Sequence, residues 1–267
     1  MDFQPINSDH AIESAVFASR FNVLIDDDDI LALHAQMREY RDILPFVSLQ
    51  QVSIIDASVP FPSAQQKLML DASMLRADGT AIWNLRVSGY EAVVTCTRYS
   101  RWQKTWGQAR QLILFVAETM KRRQTDVFLS NLALTVTDRF LASDQKYQLS
   151  DLFKINDFVP QFAYKRGPKW HCHTGWFEAP GGFEVLNHLN IDARYDPEAS
   201  SFDSDGSTLS ILHRQQANIK ALGETASLTT TLDQTMQELH IQNKRVLECL
   251  LKEEVLNMIG LRGNENG

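Results

Sequence analysis

The sequence has few cysteines, no long apolar run and fewer basic than acidic residues. Its three cysteines, Cys96, Cys172 and Cys249, are odd in number and widely spaced, which argues against a disulfide framework and favours a reducing cytoplasm. No stretch reaches the roughly eighteen apolar residues of a membrane span, and the N-terminus lacks the apolar core of an export signal. The net charge of -7 argues against broad, non-specific nucleic-acid binding. We therefore expect a cytoplasmic chain with no membrane partner.

Several chemical signatures are also missing. Neither GxxxxGK[ST] nor GxGxxG occurs, so no known type of nucleotide-binding loop is predicted. The four acids Asp26 to Asp29 lack the spacing and the glycine of an EF-hand, and they precede the helical apolar spacing of Ile30, Leu33 and Met37. They are interpreted as the cap and first turn of a helix, where carboxylates meet the positive helix end. No cofactor is predicted.

The stretch from Ala81 to Phe140 has the clearest pattern. It predicts a strand, a tight turn, a second strand, a long amphipathic helix and a third strand, because runs rich in Val, Ile and Thr flank a segment of helical periodicity. The predicted apolar stripe of the helix consists of Trp102, Trp106, Ala109, Ile113, Val116 and Met120. A sheet with one long helix laid across it is the first structural expectation.

The rest of the chain extends this pattern. Asp78-Gly79 between two apolar runs predicts a hairpin. Residues 46–66 are less regular, and Pro60 and Pro62 indicate an irregular crossing or a sheet edge there. In the second half, three strands should precede a long helix from about Thr231 to Ile259. We predict an α+β fold of two pseudo-similar halves, residues 1–145 and 146–267. Each half would be an antiparallel sheet of three or more strands packed by a long amphipathic helix.

Four segments of the chain belong together: HAIESAVFASRF, DGTAIWNLRVSGYEAVVTCTRYSRW, LALTVTDRF and TMQELHIQNKRVLECLLKEEVLNMIG. In this order they resemble a sporadically distributed family of uncharacterised bacterial proteins with no established activity. The third differs from the family pattern, which more often has an aromatic residue and Asn before Arg, whereas this chain has Thr137-Asp138-Arg139. The resemblance implies no catalytic residues. The patchy distribution of the family implies an accessory role, such as defence or toxin–antitoxin function.

One cluster of residues has the chemistry of a metal site. His171 and His173 alternate in a predicted strand and so point to one face, while Cys172 points to the other. His188 and Asp192 follow in the next strand and can converge with the two histidines. Three such ligands would leave a position for water and support hydrolysis. The alternative interpretation is two solvent-facing histidines beside a core cysteine.

Two further groups of residues are candidate binding sites. Lys165, Arg166 and Lys169 form a basic turn beside Trp170, which can contact a phosphate while the indole stacks on a base. The same pattern also fits a solvated loop beside core aromatics. Trp83 alternates with the polar Asn84 and with Arg86, so we expect it to be exposed, and Trp and Arg are common anchors of protein interfaces.

The sequence therefore favours a non-enzymatic binding protein whose partner is another protein or a second copy of the chain. Glu248 to Glu254, with Leu250, Leu251 and Val255, is a candidate surface for that partner on the last helix. A metal-dependent hydrolase using His171, His173 and His188 is the alternative. Nucleic-acid binding through the basic turn is the third hypothesis.

Overall fold

The computed structural model describes residues 2–55, 64–142, 146–165, 169–195, 206–219 and 227–262. These residues form ten strands and five α-helices. The strands are β1 (Phe3–Pro5), β2 (Ile12–Phe21), β3 (Phe46–Ile55), β4 (Ala64–Leu75), β5 (Ala81–Ser88), β6 (Glu91–Cys96), β7 (Leu129–Ala142), β8 (Trp170–Glu178), β9 (Glu184–Tyr195) and β10 (Ser207–Asn218). The helices are α1 (Asp27–Gln36), α2 (Trp102–Lys121), α3 (Leu149–Leu152), α4 (Leu228–Leu250) and α5 (Glu253–Met258). No helix in these ranges is long and apolar enough to cross a membrane.

The strands form one ten-stranded antiparallel sheet. Its order is β3-β4-β5-β6-β2-β7-β10-β9-β8, and β1 pairs with the end of β7. Strands β3 and β8 are therefore the two edges of the sheet in the described part of the chain. The predicted α+β class is confirmed.

The chain forms two compact units, each assembled from separate stretches of sequence. One contains residues 1–14, 134–216 and 237–267, and the other contains residues 15–133 and 217–236. The first is called the β8 unit and the second the α2 unit. The predicted division of the sequence after residue 145 stays a prediction.

The α2 unit contains the stretch that gave the clearest sequence signal. Gly79 has a φ of 84° in the turn between β4 and β5, and the Asp78 carboxylate accepts from the Thr80 backbone N–H at 2.8 Å. The hairpin prediction is thus confirmed. Helix α2 buries most of its predicted stripe, and its Trp106 ring lies 5.6 Å from that of Phe17 on β2. This ring pair packs the helix against the sheet.

The start of α1 also follows the prediction. Asp26 caps the helix by accepting from the Asp29 N–H at 2.8 Å, and Asp29 accepts from the Asp26 N–H at 3.2 Å. This reciprocal pair is a capping box. The buried Asp29 carboxylate also accepts from Arg123 Nε at 2.9 Å and from the Gln124 amide. The acidic run therefore has a structural explanation that needs no bound cation.

The β8 unit packs one face of β8, β9 and β10 against the last helices. Its core contains, among others, Leu189, Ile191, Leu209, Ile211, Val246 and Leu250. Strands β8 and β9 pair without a register shift from Trp170↔Ala193 to Glu178↔Val185. This pairing fixes which β8 side chains face the core and which face solvent.

Two segments differ from the sequence prediction, the first of them only in part. Residues 46–55, expected to be an irregular crossing or an edge, form β3, an edge strand, whereas Pro60 and Pro62 lie outside the described residues. The single helix predicted up to Ile259 instead ends at Leu250 and restarts at Glu253, because Lys252 is extended and Leu251 pairs with Phe153. Leu250, Leu251 and Val255 are consequently buried. The prediction that they form an exposed partner surface is wrong.

Candidate interaction surface

The predicted histidine cluster lies on the exposed face of β8 and β9. His171 and His173 are exposed and alternate with the inward-facing Trp170 and Cys172, as the strand period requires. His171 pairs with Asp192 across the two strands. The rings of His173 and His188 lie 5.7 Å apart, edge to face. The predicted residues therefore share one face, as the sequence indicated.

Their arrangement does not form a metal centre. Within the described residues, no group of three or more His, Cys, Asp or Glu side chains is placed to hold a metal ion. Asp192 instead contacts the Arg194 guanidinium at 3.5 Å. Cys172 points to the other face, where burial raises the pKa of its thiol and disfavours the nucleophilic thiolate. Two adjacent imidazoles remain.

The expected exposure of Trp83 is wrong. Its side chain is 7% exposed, because it shares the inward face of β5 with Leu85 and Val87. Arg86, on the opposite face, is exposed, and its Nε donates to Asp71 at 2.9 Å. The buried indole and the paired guanidinium do not form a joint anchor for a partner.

The basic turn also differs from the expectation. Lys165 is exposed, and the Lys169 ammonium lies 5.8 Å from the centre of the Tyr195 ring. Arg166 lies outside the described residues. Trp170 is buried in the core of the β8 unit, so its indole is not available to stack on a base. The interpretation of a core aromatic beside a solvated turn fits these positions better than a nucleic-acid platform.

The residues after α3 form a loop that the sequence reasoning did not identify as a site. Hydrogen bonds to α4 and to Tyr164 hold Lys154 there. Its backbone N–H donates to Leu250 O at 2.8 Å, its ammonium donates to Glu248 O at 2.9 Å, and its carbonyl accepts from the Tyr164 hydroxyl at 2.8 Å. The backbone before Ile155 is therefore anchored to the end of α4.

Asn156 fixes the chain on the other side of Ile155. Its amide nitrogen donates to Lys154 O at 2.8 Å, and its amide oxygen accepts from the Phe158 and Val159 N–H groups at 2.8 and 2.9 Å. Such side-chain bonds to nearby backbone groups stabilise tight turns. Ile155 lies between these two anchored residues and is 93% exposed. The loop thus holds an apolar side chain in water.

A second apolar side chain follows in the same loop. Phe162 is 49% exposed, and the Phe162 carbonyl accepts from the Lys165 N–H at 3.0 Å in the turn that ends the loop. Ile155 and Phe162 are together called the apolar loop pair. In the sequence, Ile155 is a single apolar residue among polar neighbours, which gives no signal of its own. Its exposure depends on contacts with Glu248, Leu250 and Tyr164.

The β8 unit also contains a buried polar network. His213 on β10 lies 2.9 Å from the Asn243 carbonyl oxygen on α4 and 3.1 Å from that of Asn187 on β9. Burial lowers the pKa of His213 to about 4, although the Asn243 contact opposes this shift. The ring is therefore neutral near pH 7. The Trp176 ring stacks on it at 5.8 Å.

A neutral imidazole has one N–H, so only one of these two carbonyl oxygens can accept from His213. The other amide must turn its NH₂ group toward the ring. The Asn187 amide nitrogen has no other partner within the described residues, which favours Asn187 for this role. With this orientation the network joins β9, β10 and α4.

Comparison with known proteins assigns no function. No protein-family model matches the chain, and no curated protein matches it either.

Proposed function

We propose that this chain is a non-enzymatic cytoplasmic binding protein that holds a protein partner through the apolar loop pair. The observation that carries the proposal is the exposure of Ile155 between two anchored residues. Burying an exposed side chain of this size contributes about 1.5–3 kcal/mol. A partner that covers Ile155 and Phe162 gains this energy.

The rigidity of the loop supports the same proposal. Binding costs free energy when a flexible segment must be ordered, and a preformed loop avoids most of that cost. The hydrogen bonds of Lys154 and Asn156 hold the loop in one conformation before any partner arrives. An apolar side chain presented in this way is typical of an interface anchor. Isolated exposed apolar residues are otherwise common, and Ile155 differs from, for example, Leu31 on α1 in its exposed fraction, which is 93% against 47%.

The experiment is co-purification from the native host with two matched variants. Ile155→Asp places a charge in the proposed contact, and Leu31→Asp places the same charge on an exposed apolar residue of the α2 unit. We expect the wild type and Leu31→Asp to retain a stoichiometric protein that Ile155→Asp loses. Thermal unfolding of all three proteins checks that the variants are folded. Equal retention by the two variants would contradict the proposal.

The biological setting and the duplicated architecture are also parts of the proposal. The family resemblance supports an accessory role in bacterial defence or a toxin–antitoxin system, which the identity of the retained protein would test. The order of three strands and a helix, β4-β5-β6-α2 and β8-β9-β10-α4, supports two pseudo-similar halves.

The alternative of a metal-dependent hydrolase has one observation in its favour, the contact between His173 and His188. It requires a third ligand from outside the described residues. Metal analysis of protein purified without a histidine tag tests this alternative, and His173→Ala should then lower the metal content.

A further inference from the structure

Strand β8 is an edge strand without the features that normally protect an edge. Exposed edges are usually shortened, bulged, or interrupted by proline or lysine, because their unpaired backbone groups can bind another strand. Strand β8 has nine residues, Trp170–Glu178, and contains no proline, lysine or arginine. It pairs with β9 over its whole length without a bulge. Its other edge has no neighbouring strand among the described residues.

The exposed face beside this edge is also apolar at one end. Phe177 is 65% exposed and lies opposite Leu186 of β9. The other edge strand, β3, runs into residues outside the described ranges, whereas β8 is described from end to end. Every residue of the β8 edge is therefore described.

We propose that β8 pairs antiparallel with β8 of a second copy of this chain, around a two-fold axis at Thr174. Such an isologous contact joins the same strand of both copies and closes after two subunits. Because the side-chain period of a strand is two, each residue on the face of His171, His173, Gly175 and Phe177 then lies opposite a residue of the same face of the other copy. The proposal uses a different surface from the apolar loop pair and goes beyond the proposed function.

The sequence of β8 is complementary to itself in this register. His173 lies opposite Gly175 of the second copy, where no side chain occupies the face beside His188. A side chain at Gly175 is disfavoured in the single chain as well, because its Cβ would lie 3.2 Å from Asn187 O. His171 lies opposite the exposed Phe177 of the second copy, an aromatic cross-strand pair.

The charge of the strand is compatible with the same register. Glu178 is the only charged residue in β8; it is exposed and accepts from Trp176 Nε1 of its own chain at 2.9 Å. Pairing around Thr174 places the two copies of Glu178 at opposite ends of the paired strands, so no like charges lie opposite each other.

The first measurement is the mass of the wild-type protein in solution. We expect a dimer with twice the chain mass of 30.4 kDa. Phe177→Asp should raise the dimer dissociation constant at least about tenfold, because a charge is then buried at the pairing edge. Phe46→Asp, at an exposed aromatic residue of β3, is the matched control and should leave the constant unchanged. A monomeric wild type would overturn the inference.

The second measurement tests the axis itself. In a Cys172→Ser, Cys249→Ser background, Thr174→Cys should form an intermolecular disulfide on mild oxidation, because paired strands place these Cα atoms within disulfide range. Ser48→Cys at the middle of β3 should not cross-link. A dimer that cross-links through position 48 and not through position 174 would refute the β8 register. Loss of the dimer with retention of an Ile155-dependent partner would leave the proposed function intact and overturn this inference alone.

Discussion

Replacing Asp138 with asparagine should stabilise the protein at about pH 8 and change its stability little at about pH 4. Asp138 lies on β7 and is 2% exposed. Burial alone raises the pKa of its carboxyl from 3.8 to about 7. Asparagine has nearly the same shape and does not ionise.

The loss of stability at high pH follows from the raised pKa of Asp138. The folded state favours the neutral acid, so it binds a proton that the unfolded chain releases above pH 3.8. The resulting contribution to stability is complete below that pH and is lost as the pH rises through about 7. A shift of about three units corresponds to about 4 kcal/mol, since one unit is about 1.4 kcal/mol. Between about pH 4 and pH 8 this carboxyl should cost the wild type up to this amount of unfolding free energy, whereas Asp138→Asn should show no such loss.

Urea unfolding of both proteins at about pH 4.5 and pH 8 measures this effect. Subtracting the unfolding free energy of the wild type from that of the variant at each pH removes the contribution of all other titrating groups. Asp157→Asn, at an exposed position in the same unit, measures the effect of removing one negative charge. If the Asp138→Asn difference is the same at both pH values, the carboxyl is charged in the folded state and the reasoning is refuted.

Three further predictions concern other side chains. His213 should destabilise the protein in acid, because its pKa in the folded state, about 4, lies below the ordinary 6.5. The stability present above pH 6.5 is therefore lost as the pH falls. In urea titrations, the difference in unfolding free energy between the wild type and His213→Gln should change by about 3 kcal/mol between pH 7 and pH 4. Asp29→Ala should cost about 2–4 kcal/mol in unfolding free energy because it removes the buried carboxylate that accepts from Arg123, Gln124 and the Asp26 N–H. Asp28→Ala, whose side chain is 78% exposed, should cost less than about 1 kcal/mol. Trp83→Ala should cost about 3–5 kcal/mol by the loss of core packing, and Arg86→Ala should cost less than about 1 kcal/mol, which thermal unfolding can distinguish.

The local structure of the α2 unit could be predicted because its signals are short-range. The Asp78-Gly79 turn depends on neighbouring residues, as does the capping box that Asp26 forms with Asp29. The exposure of Trp83 was predicted wrongly, although the strand period places it with Leu85 and Val87. Asn84 and Arg86 lie on the opposite face of the strand and therefore do not indicate the exposure of Trp83.

The features that could not be predicted depend on contacts between distant parts of the chain. Strand β3 has the consecutive polar residues Gln50 and Gln51 and pairs on one side only, so its apolar alternation is interrupted. The helix break at Leu251 requires its pairing with Phe153, almost a hundred residues earlier. Ile155 is exposed for the same reason, since α4 and Tyr164 hold the loop. Helical periodicity and apolar character alone predict none of these.

The most direct test of the binding role is lysine cross-linking and mass spectrometry of the complex purified from the native host. Lys165 is exposed and ends the loop that carries Ile155 and Phe162, and Lys121 is an exposed lysine at the end of α2 in the other unit. We predict that the partner cross-links to Lys165 and not to Lys121, and that Ile155→Asp abolishes these cross-links. A partner that cross-links to Lys121 alone, or that cross-links equally to the Ile155→Asp protein, would contradict the proposal that the apolar loop pair holds it.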